Sequence, residues 1–414
     1  MLFIGRQHGW ILATVTVVAC TVLGVMNSGE SAPPPSPADR PDAASVGAVQ
    51  PAAESDDAAK VLSPDEWQRV DAAAQRALTW LAGQQESDGA FPSLDVGQPG
   101  VTSLCVLAFM SHGQMPGQGE YGERLERAAD FIVSCQKENG LVTLVGPDGP
   151  EISRSVVHDI GATAAYNHGI SSLAMSELYG STEGDKAARL RTAITKSLRA
   201  TLEMQRWPKD RAADRGGWRY LNDANDMDSD LSVTGWELKF LRSSRNAGFD
   251  VPKSAIDEAV AYVRRTYSKR YGAFAYAVGP TSDLRSRGMA GAGILALAHA
   301  GFHNAPEAKQ SGDWILRNNF DRYNEIMPFT RISSIDRYHY SLFNCCQGMY
   351  QLGGDYWEQF FPRVVETLLA NQQADGSWPA ESHFYDAPFG NCYTTALVLL
   401  TLGAPNDLLP IYQR

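Results

Sequence analysis

Two segments far apart in the chain share one pattern, and this pattern decides the fold. Gln85-Glu86-Ser87-Asp88-Gly89-Ala90-Phe91 and Gln372-Gln373-Ala374-Asp375-Gly376-Ser377-Trp378 both read Gln-x-x-Asp-Gly-x-aromatic. Weaker copies begin at Gln136 and Gln205, and two degenerate copies contain Tyr271-Gly272-Ala273-Phe274 and Asn318-Asn319-Phe320. A motif that recurs at intervals of roughly fifty residues indicates an architecture of stacked repeats.

Each copy lies between two helical patterns of different kinds. The stretches before the copies, such as 66–84 and 357–372, place apolar residues at i, i+3, i+4 and i+7. The stretches after them are apolar on nearly all sides, at 101–112, 168–179, 231–247, 288–300, 340–352 and 391–402. Each ends at a glycine for which we predict the positive φ of a helix C-terminus: Gly113, Gly180, Gly248, Gly301, Gly353 and Gly403.

These six helix pairs predict an all-α fold. An amphipathic helix has one solvated face and belongs outside, whereas a helix that is apolar all round belongs inside. We therefore predict an (α/α)6 barrel or toroid over residues 62–414, with twelve helices in two concentric rings. The last apolar helix needs a partner, and the first inner helix is available, so a closed ring is favoured over an open solenoid.

The first sixty residues have a different composition. Residues 1–27 contain an apolar run from Trp10 to Met26, which is typical of an export segment. A cleaved signal peptide, a lipoprotein signal around Cys20 and an uncleaved signal anchor all remain open. Each predicts a periplasmic or cell-surface protein that touches the membrane only through this segment. Residues 28–61, rich in Ala, Pro, Ser and Asp, are predicted to be a disordered linker.

Charge and cysteine content narrow the classes of partner. The net charge is −11 and there is no basic tract, which argues against a nucleic-acid partner. The six cysteines include no Cys-x-x-Cys pair, so we predict no metal site and no cofactor. A disulfide such as Cys346–Cys392 is compatible with export to an oxidising compartment.

The repeats resemble the QW motifs of squalene–hopene and oxidosqualene cyclases and of the wider prenyltransferase/squalene-oxidase repeat superfamily. The resemblance covers about residues 62–403 and implies the same α/α toroid. It is less informative about activity, because this toroid carries several unrelated chemistries. Triterpene cyclases have two such barrels, whereas this chain has the length for one.

The resemblance also implies a general acid where the third inner helix begins. Asp226, Asp228 and Asp230 stand there as candidate catalytic residues, but in the order Asp-x-Asp-x-Asp, and Ser229 occupies the position of the proton donor. Neighbouring carboxylates raise one another's pKa, as alkene protonation requires. The alternatives are an acidic turn in which Asp230 caps the helix, and a calcium loop that ends at Glu237.

The inner helices are predicted to begin at one face of the barrel, so residues near their amino termini are candidates for lining a cavity. These candidates are His158, Asp159, His168, Trp236, Tyr338, His339, Tyr340, Tyr385, Asp386 and Asn391. Aromatic rings at a cavity could stabilise a carbocation by cation–π contact. The alternative is that these residues make ordinary core and loop contacts.

Three functions follow from these observations. The single barrel, the altered acidic motif and the linker favour an exported binding or interaction protein with a central cavity, whose partner is a protein or an apolar ligand such as an isoprenoid. The first alternative is a triterpene-type cyclase or isomerase that uses the three aspartates. A lesser alternative is an α/α-barrel carbohydrate-active enzyme. A deep apolar cavity would favour the cyclase, and a cavity filled by side chains would favour the binding protein.

Overall fold

The computed structural model describes residues 59–221, 227–279, 284–327 and 336–413. Within these ranges it has twelve α-helices and a two-stranded antiparallel sheet, β1 (Tyr267–Ser268) and β2 (Ala273–Phe274). The all-α fold class is therefore confirmed. The predicted export segment and residues 28–58 of the predicted linker lie outside the described part. No helix within the described ranges is long and apolar enough to cross a membrane.

Six amphipathic helices form the outer ring. They are α1 (Pro64–Gln84), α3 (Gly122–Ser134), α5 (Gly184–Arg206), α7 (Lys253–Arg265), α9 (Pro306–Arg317) and α11 (Gly354–Ala370). In α1, for example, Val70, Leu78 and Leu81 are buried on one face. This helix begins where the sequence predicts, because Ser63 and Glu66 form a capping box.

Six largely buried helices form the inner ring. They are α2 (Gly100–Ser111), α4 (His158–Tyr179), α6 (Leu231–Asn246), α8 (Arg287–His299), α10 (Tyr338–Leu352) and α12 (Gly390–Leu402). Every residue of α2 and of α8 is buried. Each inner helix packs against the next, and α12 packs against α2, so the ring is closed as predicted.

The repeat glutamines join neighbouring outer helices. The side-chain amide of Gln85 donates to a main-chain oxygen in its own turn, at 3.1 Å, and to that of Arg124 on α3, at 2.8 Å. The glutamines of the second, third and last copies make the same two kinds of bond. In the last copy the partner is Ala73 on α1, so the motif itself connects the two ends of the ring.

The helix-end glycines follow the prediction in part. Four of them have positive φ: Gly113, Gly248, Gly301 and Gly353. Gly180 and Gly403 have φ of −66° and −80°, so the prediction was wrong for these two. Glycine is required at position 403 because there is no room for a side chain: a Cβ there would lie 2.8 Å from the hydroxyl oxygen of Ser111.

One other local prediction was wrong, and one possibility that the sequence left open is not realised. Helix α4 begins at His158 rather than near His168, because the small residues between them continue the helix. The five cysteines in the described ranges are free and buried, so Cys346 and Cys392 do not form a disulfide. The thiol of Cys346 instead donates to the main-chain oxygen of Thr401, at 3.3 Å.

The two ends of the ring differ. We call the end where the inner helices begin the mouth, and the opposite end the base. A short 3-10 turn, Pro410–Tyr412, covers the base and buries Ile411 and Tyr412. It is held by the side-chain amide of Gln351, which donates to the main-chain oxygen of Tyr412 at 2.7 Å.

Candidate functional site

Side chains from three inner helices meet across the axis at the mouth. The hydroxyl of Ser232 on α6 lies 2.8 Å from that of Tyr166 on α4 and 2.8 Å from that of Tyr340 on α10. Helices α6 and α10 are separated by α8 in the ring, so this chain of bonds, which we call the tyrosine floor, spans the interior. Directly below it, Trp236 stacks on Phe343 of α10 with ring centroids 5.8 Å apart. Described side chains thus fill the axis at this level.

Further tyrosines form the walls of the mouth. The hydroxyls of Tyr220 and Tyr276 are 2.7 Å apart, and Tyr393 stands in the first turn of α12. All three rings are partly exposed. Burial raises the pKa of Tyr220 and of Tyr393, so their hydroxyls stay protonated and can donate hydrogen bonds at neutral pH.

Sequence reasoning missed two of these wall tyrosines, although a signal was present. Tyr220 follows Trp218 by two positions, and Tyr276 follows Phe274 by two positions. Trp218 and Phe274 are the aromatic residues of two repeat copies. Aligning the degenerate copies on their aromatic residue therefore finds both tyrosines at the same place in the repeat.

Asp230 has the contacts of a structural acid. One carboxylate oxygen accepts from the main-chain N–H of Val233 at 2.8 Å, which caps α6, and the other lies 3.4 Å from the guanidinium of Arg219. Burial raises the pKa of Asp230, and the charge of Arg219 opposes this shift. Asp230 thus caps α6, which is the alternative to a catalytic role that the sequence analysis gives for this residue.

Asp228 is held by neighbouring loops rather than aimed into a dry cavity. Its carboxylate accepts from the guanidinium of Arg154 at 3.1 Å and from the main-chain N–H of Asp210 at 2.7 Å. These bonds tie the Asp228 carboxylate to the loops around it. Ser229 is buried and donates to the main-chain oxygen of Asp214. Asp226, the third candidate, lies outside the described residues.

The calcium alternative does not fit the geometry. Helix α6 begins at Leu231, so the second half of the proposed loop is helical. Glu237 turns away from the mouth, and its carboxylate accepts from the hydroxyl of Thr201 on α5 at 2.9 Å. Across the described ranges, no group of three His, Cys, Asp or Glu side chains could hold a metal ion.

A second acid lies on the other side of the mouth. Asp386 precedes α12, which stands opposite α6 in the ring of six. Its carboxylate accepts from the guanidinium of Arg337 at 3.0 Å and from the hydroxyl of Tyr393 at 2.9 Å. Burial raises the pKa of Asp386, and the charge of Arg337 acts against this. Asp386 is partly exposed, so a ligand in the mouth can reach this group.

The rim beside Asp386 carries two exposed aromatic rings. Phe384 is 69% exposed and Tyr385 is 61% exposed, and their ring centroids are 4.0 Å apart. Tyr385 also lies nearly parallel to the buried ring of His383. Elsewhere on the rim, His158 and Asp159 are exposed at the start of α4, and the ring of His158 lies 5.3 Å from that of Tyr220.

Two candidate residues near the mouth, His339 and Tyr338, are buried behind the side chains that line it. His339 is buried, with one ring nitrogen 2.9 Å from the Glu381 carboxylate and the other 2.9 Å from the Tyr323 hydroxyl. Burial by itself would raise the pKa of Glu381, but the hydrogen bonds with His339 outweigh burial, and the pKa of Glu381 is lowered. Tyr338 is also buried, and its hydroxyl donates to the main-chain oxygen of Phe320. Neither residue lines the opening.

Three other candidates lie away from the opening. His168 is buried in the middle of α4, where it accepts from the main-chain N–H of Val142 at 3.2 Å, and burial lowers its pKa to about 3. Trp236 lies below the tyrosine floor. Asn391 points outward and is 3.5 Å from the side chain of Gln373 in the repeat turn. Of the predicted lining candidates, the structure therefore brings Tyr340, Asp386, Tyr385, His158 and Asp159 to the mouth.

Known structures share this architecture at low sequence identity. A glycosidase variant aligns at 12% identity with a TM-score of 0.55, over 84% of this chain and 100% of the other. A GH76 alpha-mannanase from Bacteroides thetaiotaomicron aligns at 12% identity with a TM-score of 0.55, over 82% of this chain and 96% of the mannanase. A type II terpene cyclase from Scytonema aligns at 12% identity with a TM-score of 0.51, over 83% of this chain and 99% of the cyclase.

These likenesses establish the α/α toroid, as the repeat motifs predicted, and they do not establish an activity. The three structures named above are a glycosidase, a mannanase and a terpene cyclase. No protein-family model matches the chain, and no curated protein matches it.

Proposed function

We propose that the protein is an exported binding protein whose mouth takes a hydroxyl-rich ligand of the saccharide type. The tyrosine floor carries this proposal, because its hydrogen-bonded hydroxyls lie across the axis where a cyclase would need a deep apolar cavity. The apolar run at residues 10–26 supports the exported location.

The chemistry of the mouth fits hydroxyl groups better than a hydrocarbon chain. Tyr393, Asp386 and Arg337 present hydroxyl, carboxylate and guanidinium groups close to the opening. An isoprenoid would desolvate such groups without replacing their hydrogen bonds, at a cost of about 1–3 kcal/mol each. A saccharide supplies donors and acceptors to them, and its C–H face can stack on the exposed rings of Phe384 and Tyr385.

Binding to defined oligosaccharides tests this proposal. We expect titration calorimetry to detect binding by the wild type, and Tyr385→Ala to weaken it by about tenfold through loss of a stacking surface. Phe302→Ala is the matched control, since Phe302 is an exposed aromatic residue, 45% exposed, close to the base. Binding of farnesol but of no saccharide would contradict the proposal, as would equal effects of the two variants. A protein ligand on the same rim is the other outcome to examine.

A second function, glycoside hydrolysis, is favoured by one observation. Asp386 is a partly exposed acid whose pKa is raised by burial, and Asp230 stands on the opposite side of the floor. A raised carboxylic acid can protonate a glycosidic oxygen. If the protein releases reducing ends from a bound saccharide, Asp386→Asn should abolish release and preserve binding. Release that is unchanged in Asp386→Asn would exclude this role.

The cyclase alternative has less support from the described residues. The cleft beside Asp228, which Arg154, Lys209 and Trp207 also line, has a volume of about 10 Å³. That is room for about one water molecule. A triterpene precursor needs a far larger apolar space.

A further inference from the structure

A buried lysine lies on the axis of the toroid, below the tyrosine floor. Lys239 on α6 is 3% exposed, and its ammonium nitrogen lies 3.4 Å from the ring centroid of Trp236 and 5.1 Å from that of Phe343. No carboxylate in the described ranges comes within 4.0 Å of this nitrogen. The amino group of Lys239 is thus placed among aromatic rings without a protein counter-ion.

Three other buried polar groups without hydrogen-bond partners lie on neighbouring inner helices and on the turn that covers the base. Nε2 of His299 on α8, the hydroxyl of Tyr412 in the base turn and Oε1 of Gln347 on α10 are buried and have no hydrogen-bond partner among the described residues. The ring of Tyr412 lies 6.1 Å from that of His299 and 6.0 Å from that of Phe343, which also contacts Lys239.

Gln347 belongs to the same cluster by helical spacing. It lies one turn from Phe343 on the same face of α10, since residues four apart share a face. Its amide nitrogen is already used, because it donates to the main-chain oxygen of Leu400 at 3.0 Å. We call Lys239, His299, Gln347 and Tyr412 the base cluster.

The base cluster is richer in donors than in acceptors. Lys239, the ring N–H of His299 and the hydroxyl of Tyr412 can all donate, whereas only the amide oxygen of Gln347 is a pure acceptor. Transferring an unpaired ammonium into such surroundings is costly, and burial accordingly lowers the pKa of Lys239. A small anion would satisfy the donors and restore a stable charge on the lysine.

Glu177 is an acid near Tyr412, and its hydrogen bonds are made to groups outside the base cluster or to the main chain. Glu177 on α4 lies toward the base, where it accepts from the hydroxyl of Ser243 and from the main-chain N–H of Ile411. Burial raises the pKa of Glu177 to about 7, so the group is largely neutral in mildly acidic solution. Arg242, on the same helix as Lys239, adds a further positive charge near His299.

We propose that the base cluster is an internal site for a small inorganic anion of halide size. Lys239 supplies the charge, and Tyr412 and His299 supply the additional hydrogen-bond donors. This site is separate from the ligand mouth and does not depend on the function proposed there. The base turn covers it, so the anion becomes part of the folded core and exchanges only when this turn moves.

Thermal unfolding of the full chain in chloride and in gluconate at equal ionic strength tests the proposal. We expect the Tm of the wild type to rise with chloride and not with gluconate, because an ion that binds only the folded state stabilises it. Lys239→Met, which keeps the length of the side chain, should lose this difference. Lys253→Met, at a surface pair with Asp257, is the matched control and should keep it.

Two further measurements keep the test independent of how well Lys239→Met folds. Tyr412→Phe removes one hydroxyl and should shift the chloride dependence to higher concentration. Crystals grown with bromide should show an anomalous peak within hydrogen-bond distance of Lys239 Nζ. A wild-type Tm that is the same in both salts would overturn the proposal. So would a chloride effect that persists in Lys239→Met, which would indicate an adventitious ion only.

Discussion

The side-chain amide of Gln372 donates a hydrogen bond of 2.8 Å to the main-chain oxygen of Ala73, which is 299 positions away in the sequence. The same amide also holds its own turn through the main-chain oxygen of Gly376. The contact that joins successive repeats elsewhere in the ring is thus reused between the last repeat and the first. Closure of the toroid follows from the repeat unit and needs no special segment.

Removal of this side chain should weaken the closure. We expect Gln372→Ala to lower the free energy of unfolding by about 1–3 kcal/mol, because it leaves partly buried acceptors without their donor. Urea unfolding measures this change. Gln359→Ala is the matched control, since Gln359 is an exposed residue of α11, and it should change stability by less than about 0.5 kcal/mol. Equal losses in the two variants would argue against a role of Gln372 in closure.

The aromatic residue of the last repeat is a core residue. Trp378 is fully buried, and its indole N–H donates to the main-chain oxygen of Leu368 at 2.9 Å. We expect Trp378→Ala to cost about 3–5 kcal/mol by creating a cavity. Trp80→Ala, at a partly exposed position of α1, should cost less. A near-neutral Trp378→Ala measured by urea unfolding would mean that the aromatic position of the motif contributes little to packing.

A buried acid makes stability depend on pH in a defined direction. Burial raises the pKa of Glu237 from 4.5 to about 8, so the folded state keeps a proton that the unfolded state has lost. The contribution of Glu237 to the free energy of unfolding is fully present below pH 4.5 and is lost as pH rises toward 8. Over this range the free energy of unfolding falls by up to about 1.4 kcal/mol per pH unit.

Glu237→Gln should therefore gain stability relative to the wild type as pH rises from 5 to 8. Unfolding free energies of both proteins across this range measure the effect. Glu258→Gln, an exposed position on α7, is the control and should follow the wild type. Parallel pH profiles for wild type and Glu237→Gln would show that Glu237 ionises normally in the folded state.

Incubation with squalene tests the cyclase alternative directly. We expect no cyclised product, because the Asp228 carboxylate is bound by Arg154 and Ser229 cannot protonate an alkene. Gas chromatography of the lipid extract detects any product. A hopene-type product that disappears in Asp228→Asn would overturn this expectation and would promote the cyclase over the binding protein.

Local pattern was sufficient to predict the helices, their order and the closed ring. The periodicity of apolar residues reports which face of a helix is buried, and the motif Gln-x-x-Asp-Gly contains the groups that form its turn. At Gly376, with φ of +97°, a Cβ would lie 2.6 Å from the main-chain oxygen of Arg76. This contact requires glycine at that position of the motif, and the requirement is visible in the repeated sequence itself.

The tyrosine floor followed from tertiary structure alone. Tyr166, Ser232 and Tyr340 meet because three helices place them at one height on the axis, and no spacing within one segment encodes that coincidence. His168 was a candidate for the opening, but the earlier start of α4 places it in the core. The buried face of a helix can be predicted from local pattern, whereas the depth of a side chain inside a ring depends on where its own helix and the neighbouring helices begin.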